Sequence, residues 1–201
     1  MAAPEPSYDI VAGLRERSAA QAARLRDFLD RSAADLERAA QLILASLTRR
    51  GTIFTCGNGG SAAHAMHLEA ELVGRYRTDR PPLPGIYVGM TAPSSTAIVN
   101  DYPADVAFAR PLQALGAHGD LLIAFSTSGT SANVLRALEA ARELGMASIL
   151  VSGPNAPDAA DVVLRFPGPS ADAIQDGHDL ILHAMMDAVD AEFAQASPSS
   201  G

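Results

Sequence analysis

Two groups of polar side chains in this sequence stand at helical spacing and could transfer protons or bind a metal. His67 and Glu71 are four residues apart, so they share one face if this stretch is a helix. Near the carboxyl end, an otherwise apolar run carries a polar stripe at three- and four-residue spacing, made of Asp172, Gln175, Asp179 and His183. Imidazole and carboxylate groups are common acid–base catalysts. A solvated ion pair and a wet helix face would give the same spacings, so both interpretations remain open.

A glycine-rich loop precedes the first of these groups. Residues 57–61 read GNGGS. Glycines let the backbone approach a ligand closely, and the start of the following helix offers free N–H groups to an anion such as phosphate. A tight strand-to-helix turn with Ser61 as its N-cap explains the same residues, so this loop alone does not establish a ligand.

A second loop, residues 126–131, reads STSGTS and holds five hydroxyl groups in six residues. One helix cap needs a single hydroxyl, whereas an ionised phosphate offers many acceptor oxygens to clustered donors at a helix start. The loop therefore favours a phosphate site, and a polar turn with one working cap is the alternative.

The composition excludes several classes of protein. All 15 basic residues are arginine, so no lysine is present to form a Schiff base or to serve in a P-loop. The net charge of −8 argues against broad attraction to nucleic acid. The one cysteine excludes an internal disulfide. Because the sequence shows no leader pattern and no long apolar run, we expect a cytoplasmic location without membrane contact.

The pattern along the chain predicts an α/β fold. Two helices are expected first, over 7–30 and 33–50, with Ser32 capping the second. Short apolar runs then alternate with helical stretches, which is typical of a parallel sheet covered on both faces. The predicted strands are 52–56, 85–89, 120–126, 147–152 and 162–166, and the predicted helices are 62–74, 94–100, 104–115, 131–144 and 171–192.

We expect these elements to form a single domain over 1–201, with N-terminal helices at 1–50, the α/β core at 51–195 and a flexible tail at 196–201. In open parallel sheets, ligands bind beyond the carboxyl ends of the strands. The loops at 57–61 and 126–131 both follow predicted strands. They should therefore lie near each other at one edge of the sheet.

In combination, these motifs resemble the sedoheptulose 7-phosphate isomerases, also called phosphoheptose isomerases, of the sugar isomerase (SIS) domain superfamily. The resemblance spans nearly the whole chain and includes the CGNGGS loop, the M-H-x-x-x-E helix, GRYR at 74–77, the STSGTS loop and the stretch 171–183. It implies a flavodoxin-like, five-stranded parallel sheet with an N-terminal helical extension. It also implies a homotetramer with active sites between subunits, and conversion of sedoheptulose 7-phosphate to D-glycero-D-manno-heptose 7-phosphate.

Matched residue by residue, the resemblance implies roles for individual positions. Glu71 and His183 match the acid–base pair of an isomerisation that moves a proton between C1 and C2 through an enediol. One zinc ion per subunit would be held by His67, Glu71, Gln175 and His183. The positions that match substrate contacts are Asn58, Gly59, Gly60, Ser61, Arg75, Asn100, Asp101, Ser126, Thr127, Ser128, Ser131, Asp172 and Gln175.

The sequence departs from the family pattern at His64, where Asp is usual, at 69–70, where the order Ala-Glu is usual, and at Thr130, where Asn is common. Two other functions fit the same fold. One is a non-catalytic SIS adaptor tetramer that binds the bacterial replication initiator protein, and the other is a different phosphosugar isomerase or a sugar-phosphate sensor. The presence of the complete set His67, Glu71, Gln175 and His183 favours the isomerase over the adaptor.

Overall fold

The structure is a computed structural model that describes residues 7–89 and 92–194, and these form an α/β fold around a five-stranded, all-parallel sheet. The strand order is β2-β1-β3-β4-β5. The predicted fold class is confirmed, and each predicted strand is found within two residues of its expected ends. The strands are β1 Ile53–Gly57, β2 Gly85–Tyr87, β3 Leu121–Ser126, β4 Ala147–Ser152 and β5 Val162–Arg165.

Helices cover both faces of this sheet. Those of the described ranges are α1 Ile10–Thr48, α2 Gly60–Val73, α3 Ala92–Asp101, α4 Ala109–Leu115, α5 Ala132–Glu143 and α6 Ala171–Phe193, with a short 3₁₀ turn at Ala104–Val106. One apolar core lies between the sheet and α1, α2 and α6, and a second lies between the sheet and α4 and α5. The helix predicted over 104–115 is divided between the 3₁₀ turn and α4.

The N-terminal extension is a single helix, so the prediction of two helices over 7–30 and 33–50 is wrong. Asp9 caps α1 by accepting 3.0 Å hydrogen bonds from the backbone N–H groups of Val11 and Ala12. Ser32, the expected cap of a second helix, lies inside α1 and is buried. No glycine or proline occurs between residues 14 and 48, so nothing in the backbone chemistry stops the helix there.

The register of the sheet places the two predicted phosphate loops side by side. Gly57, the last residue of β1, pairs with Phe125 near the end of the neighbouring strand β3. The loops therefore leave the same edge of the sheet, as the sequence predicts, and lead into α2 and α5.

Among the described helices, none combines the length and apolar character needed to cross a membrane. The predicted tail at 196–201 lies outside the described residues, and the single-domain assignment stays a prediction.

Candidate active site

Helices α2 and α6 pack side by side in parallel, and their facing sides bring together polar residues that the spacing singled out. The contacts occur in the same order along both helices: Gly60 with Gln175, His64 with Asp179, and His67 with His183. The polar stripe of α6 therefore faces α2 along these contacts. The side chains of Asp172 and Asp179 are nevertheless 61% and 50% exposed, so the stripe contacts α2 and is also partly solvated.

His67 lies at the centre of this group. Its Nε2 atom is 3.2 Å from Oε1 of Glu71 on the next turn of α2. Its ring meets the ring of His183 edge-on, with the two centroids 5.2 Å apart. The side chain of Glu71 is 21% exposed and that of His67 is 37% exposed, so the site is partly open to solvent. A carboxyl group and a second imidazole, those of Glu71 and His183, thus adjoin the His67 ring where solvent can reach it.

Asp179 joins the cluster from α6 as a member of the polar stripe to which the resemblance assigns no role. Its Oδ1 atom lies 3.4 Å from Nε2 of His64 and 3.7 Å from Nδ1 of His67. His64 is buried, and within the described residues its Nδ1 atom has no hydrogen-bond partner. Asp179 thus places a carboxylate of α6 beside His64. The polar stripe was the available sequence signal for Asp179.

The glycine-rich loop turns tightly into α2. Gly59 has a positive φ of 53°, a conformation that favours glycine. A Cβ atom on Gly60 would lie 2.1 Å from Nε2 of Gln175, so the end of the Gln175 side chain packs directly against the start of α2. The side-chain amides of Asn58 and Asn133 exchange two hydrogen bonds of 2.8 Å. This pair links the loop to the start of α5, and Asn133 is a residue that the sequence did not single out.

The hydroxyl groups of the two loops are not used as helix caps. Gly59, not Ser61, occupies the N-cap position of α2, and Ser61 is buried in the first turn. Ser131 is the N-cap residue of α5 but makes no side-chain capping bond. Its Oγ atom lies 3.3 Å from Oγ of Ser126, which accepts a hydrogen bond from the N–H of Gly129. Capping therefore does not account for these hydroxyls.

A cavity of about 480 Å³ lies beside the hydroxyl loop. Its lining includes Thr127, Ser128 and Thr130 from the loop, together with Asn155 and Ser170. Oγ of Ser128 accepts a 3.2 Å hydrogen bond from the N–H of Thr130. No acidic residue is among those that line the cavity. Hydroxyl and amide groups in a cleft of this size suit a small anionic ligand.

Three predicted substrate contacts do not join the His67 cluster within the described chain. Arg75 is exposed in the loop after α2. Asn100 and Asp101 end α3 and bond to each other, with Nδ2 of Asn100 donating to Oδ1 of Asp101 at 2.7 Å. In the described ranges, no hydrogen bond or ion pair links these residues to His67, and their role as substrate contacts stays a prediction.

Asp172 is held by partners that the sequence did not reveal. It accepts a 2.6 Å hydrogen bond from the hydroxyl of Ser170 and pairs with Arg17 of α1 at 3.0 Å. The hydrogen bond from Ser170, and after it the charge of Arg17, hold the pKa of the Asp172 carboxyl below its usual range. Arg17 also pairs with Asp176 at 2.7 Å. Nothing in the local sequence marks Arg17, because its partners lie about 155 residues away.

The predicted zinc ligands are only partly assembled. His67 and Glu71 are in contact, and their 3.2 Å separation resembles that of two ligands on a tetrahedral zinc with bonds of about 2.0–2.2 Å. Gln175 lies at the Gly60 end, about two helical turns from His183. Within residues 7–89 and 92–194, no three His, Cys, Asp or Glu side chains gather as a metal-binding group. Within one chain, only His67 and Glu71 of the four predicted zinc ligands lie at the spacing of two ligands on one zinc ion. Zinc binding stays a prediction.

Known proteins resemble this chain over most of its length. Residues 18–153 match the family model of the SIS domain. The chain is 45% identical over 162 residues to a phosphoheptose isomerase of Bordetella avium, a match that covers 78% of this chain and 82% of that protein. It is 42% identical over 177 residues to a phosphoheptose isomerase of Vibrio cholerae, covering 85% of this chain and 92% of that one.

The similarity extends to solved structures. The structure of a phosphoheptose isomerase from Neisseria gonorrhoeae matches with a TM-score of 0.81 at 35% sequence identity. The match covers 91% of this chain and 100% of that chain. Fold, family model and sequence identity agree, and the chain belongs to the phosphoheptose isomerase family of SIS domain proteins.

Proposed function

We propose that this protein interconverts sedoheptulose 7-phosphate and D-glycero-D-manno-heptose 7-phosphate. Its family makes it an isomerase of a phosphorylated sugar, and the seven-carbon substrate and its product are our inference from that membership. The observation that carries the proposal is the contact of Glu71 and His183 with the ring of His67 across α2 and α6.

The proposed reaction moves a proton between C1 and C2 of the open-chain sugar. In the ketose-to-aldose direction, a base takes a proton from C1 while an acid protonates the carbonyl oxygen on C2, which gives the enediol. Return of a proton to C2 and loss of the proton on the C1 oxygen then give the aldose. We assign Glu71 as the base and His183 as the acid, and the opposite assignment would use the same geometry.

The two loops at the sheet edge would hold the rest of the substrate. Asn58, Ser61 and the backbone at 59–60 come from one loop, and the hydroxyls of 126–131 come from the other. The hydroxyl loop precedes α5, whose free N–H groups attract an anion. The chain has no lysine that could bind the phosphate. In this proposal the hydroxyl and backbone N–H groups of the two loops bind it instead.

We further propose that one zinc ion per subunit binds at His67, Glu71, Gln175 and His183. The nitrogen and oxygen donors suit zinc, and the close His67–Glu71 pair supports the site. Zinc would stabilise negative charge on a substrate oxygen. Metal analysis of the purified protein tests this directly, and a protein that neither contains nor takes up zinc would contradict it.

A homotetramer acting in the cytoplasm completes the proposal. Apolar side chains of α1 and α6 are exposed, and a cavity of about 410 Å³ opens between them. These side chains belong to Ile10, Val11, Leu14 and Leu180. Their burial by further copies of the chain would remove apolar surface from water. The buried, unpaired Cys56 fits a reducing compartment. Light scattering on the purified protein measures the oligomeric state.

The decisive experiment is incubation of the purified protein with sedoheptulose 7-phosphate, with and without chelator, followed by detection of the aldose. The Glu71→Gln variant keeps the size of the side chain and removes the base, so we expect loss of turnover by about 100-fold or more with an unchanged fold. Glu69→Gln, the same change two residues away on α2, is the matched control and should stay active.

Two results would overturn these assignments. Full turnover by Glu71→Gln would remove Glu71 from the acid–base pair. No conversion by the wild-type protein under either condition would remove the proposed reaction and favour the adaptor that binds a replication initiator protein, or a different phosphosugar substrate.

A further inference from the structure

The imidazole of His183 is held between two rings, one of which belongs to a residue without an assigned role. Tyr76 stacks on His183 with the ring centroids 5.6 Å apart and the planes inclined by 18°. His67 meets the same imidazole edge-on. His183 is only partly buried, and within the described residues no hydrogen bond or ion pair holds its ring. Among the contacts made by the described residues, ring contacts are therefore what limits its rotation.

The segment that carries Tyr76 is fastened to α6. The backbone N–H of Arg77 donates a 2.9 Å hydrogen bond to Oδ2 of Asp190. The guanidinium of Arg77 lies 4.9 Å from the centroid of the Tyr76 ring and pairs with Asp187 at 2.7 Å. Asp187, Asp190 and His183 all belong to α6. These bonds therefore fix the position of Tyr76 relative to His183.

We propose that Tyr76 is a positioning residue that orients His183 for proton transfer, an inference that rests on the proposed isomerase function. An acid must come within about 2.6–3.2 Å of the atom that it protonates. A displacement of about 1 Å can slow an enzyme by about 100-fold. The face of the Tyr76 ring supplies this constraint, and the phenol hydroxyl is not needed for it.

Two substitutions separate the ring from the hydroxyl. Tyr76→Leu removes the stack, and we expect kcat to fall by about 10–100-fold while KM changes by less than about threefold, because substrate binding is left intact. Tyr76→Phe keeps the ring and should stay within about twofold of the wild type in both constants. If Tyr76 only stabilised the fold, Tyr76→Leu would not be expected to lower kcat selectively. A selective loss of kcat in Tyr76→Leu and its recovery in Tyr76→Phe therefore indicate a positioning role.

Tyr102→Leu is the matched control. Tyr102 is a partly exposed tyrosine that also lies beneath an arginine, with the Arg110 guanidinium 3.7 Å from its ring centroid. Its ring is not among those stacked on His183. We expect the kcat of this variant to match the wild type. Thermal unfolding of all variants, measured in the same buffer, separates loss of kcat from loss of folded protein.

A second measurement reads the stack without any reaction. The ring current of Tyr76 should change the proton chemical shifts of the His183 imidazole in the full-length protein, and this contribution should persist in Tyr76→Phe and vanish in Tyr76→Leu. A folded Tyr76→Leu protein with wild-type kcat, or with an unchanged His183 shift, would overturn the inference while leaving the proposed function standing. A wild-type protein that shows the shift but does not convert the sugar would overturn both.

Discussion

Acidification should weaken the fold through His178, whose imidazole is fully buried between α6 and the sheet. Its ring lies beside those of Phe125 and His64, at centroid distances of 5.9 and 5.6 Å. Neither ring nitrogen makes a hydrogen bond of normal geometry within the described residues. Burial, and after it the neighbouring His64, lowers the pKa of His178 from its ordinary value of 6.5 to about 4, and the backbone of Ser152 opposes this only weakly.

The direction of this pKa change sets the sign of the effect. Between these two pKa values the unfolded chain binds a proton at His178 that the folded chain excludes. The resulting contribution to stability is fully present above about pH 6.5 and is lost as the pH falls towards about 4. Each pKa unit corresponds to about 1.4 kcal/mol. Between about pH 7.5 and pH 5, His178 alone should lower the free energy of unfolding by about 2 kcal/mol.

Urea unfolding of the wild type and of His178→Leu at both pH values measures the contribution of His178 to the free energy of unfolding. All measurements use the same protein concentration. The variant lacks the titrating group, so its free energy of unfolding should fall by about 2 kcal/mol less than that of the wild type. His118→Leu, at an exposed histidine, is the control and should behave like the wild type. Equal pH dependence in His178→Leu and the wild type, or a measured His178 pKa near 6.5, would refute the reasoning.

Two further predictions concern other buried groups. Burial raises the pKa of the Cys56 thiol to about 12, so native protein should resist iodoacetamide at about pH 8 and react once unfolded; mass spectrometry that finds native labelling would contradict this. Asp190→Ala would leave the buried guanidinium of Arg80 without its carboxylate and should lower the free energy of unfolding by about 3–5 kcal/mol. Asp187→Ala, at a half-exposed pair, should cost less than about 1 kcal/mol in the same urea assay.

The sheet could be predicted because its central strands are short, mostly apolar runs. All residues of β1 and β3 are buried, and a strand covered by helices on both faces reads as a short continuous apolar run. The N-terminal helices were harder, because a Ser followed by an acidic residue resembles a capping box. Ser32 instead packs inside α1, where tertiary burial outweighs its local preference.

Apart from the two loops, whose proximity follows from the parallel sheet, the side-chain contacts of the candidate site were predictable from spacing only within one element. His67 and Glu71 belong to one helix, so their spacing predicts their contact. The contacts of Asp179 with His64 and of Tyr76 with His183 join different parts of the chain. They depend on how α2 and α6 are rotated and aligned against each other, and the spacing within either helix does not contain that information. The same reason hides the pairing of Arg17 with α6.

The parallel packing of α2 and α6 explains why polar residues persist on an otherwise apolar helix. Two stripes with the same three- and four-residue spacing stay in contact along parallel helices, because each turn of one meets the corresponding turn of the other. The polar side chains of α6 thus contact those of α2. These side chains are partly shielded from solvent, and not all of their polar atoms have hydrogen-bond partners within the described residues. The unpaired ring nitrogens of His64 and His178 lie on these same helices. Unsatisfied buried polar atoms reduce stability and are rare in native proteins. The same two helices carry Glu71 and His183, so the candidate site lies where this cost in stability is incurred.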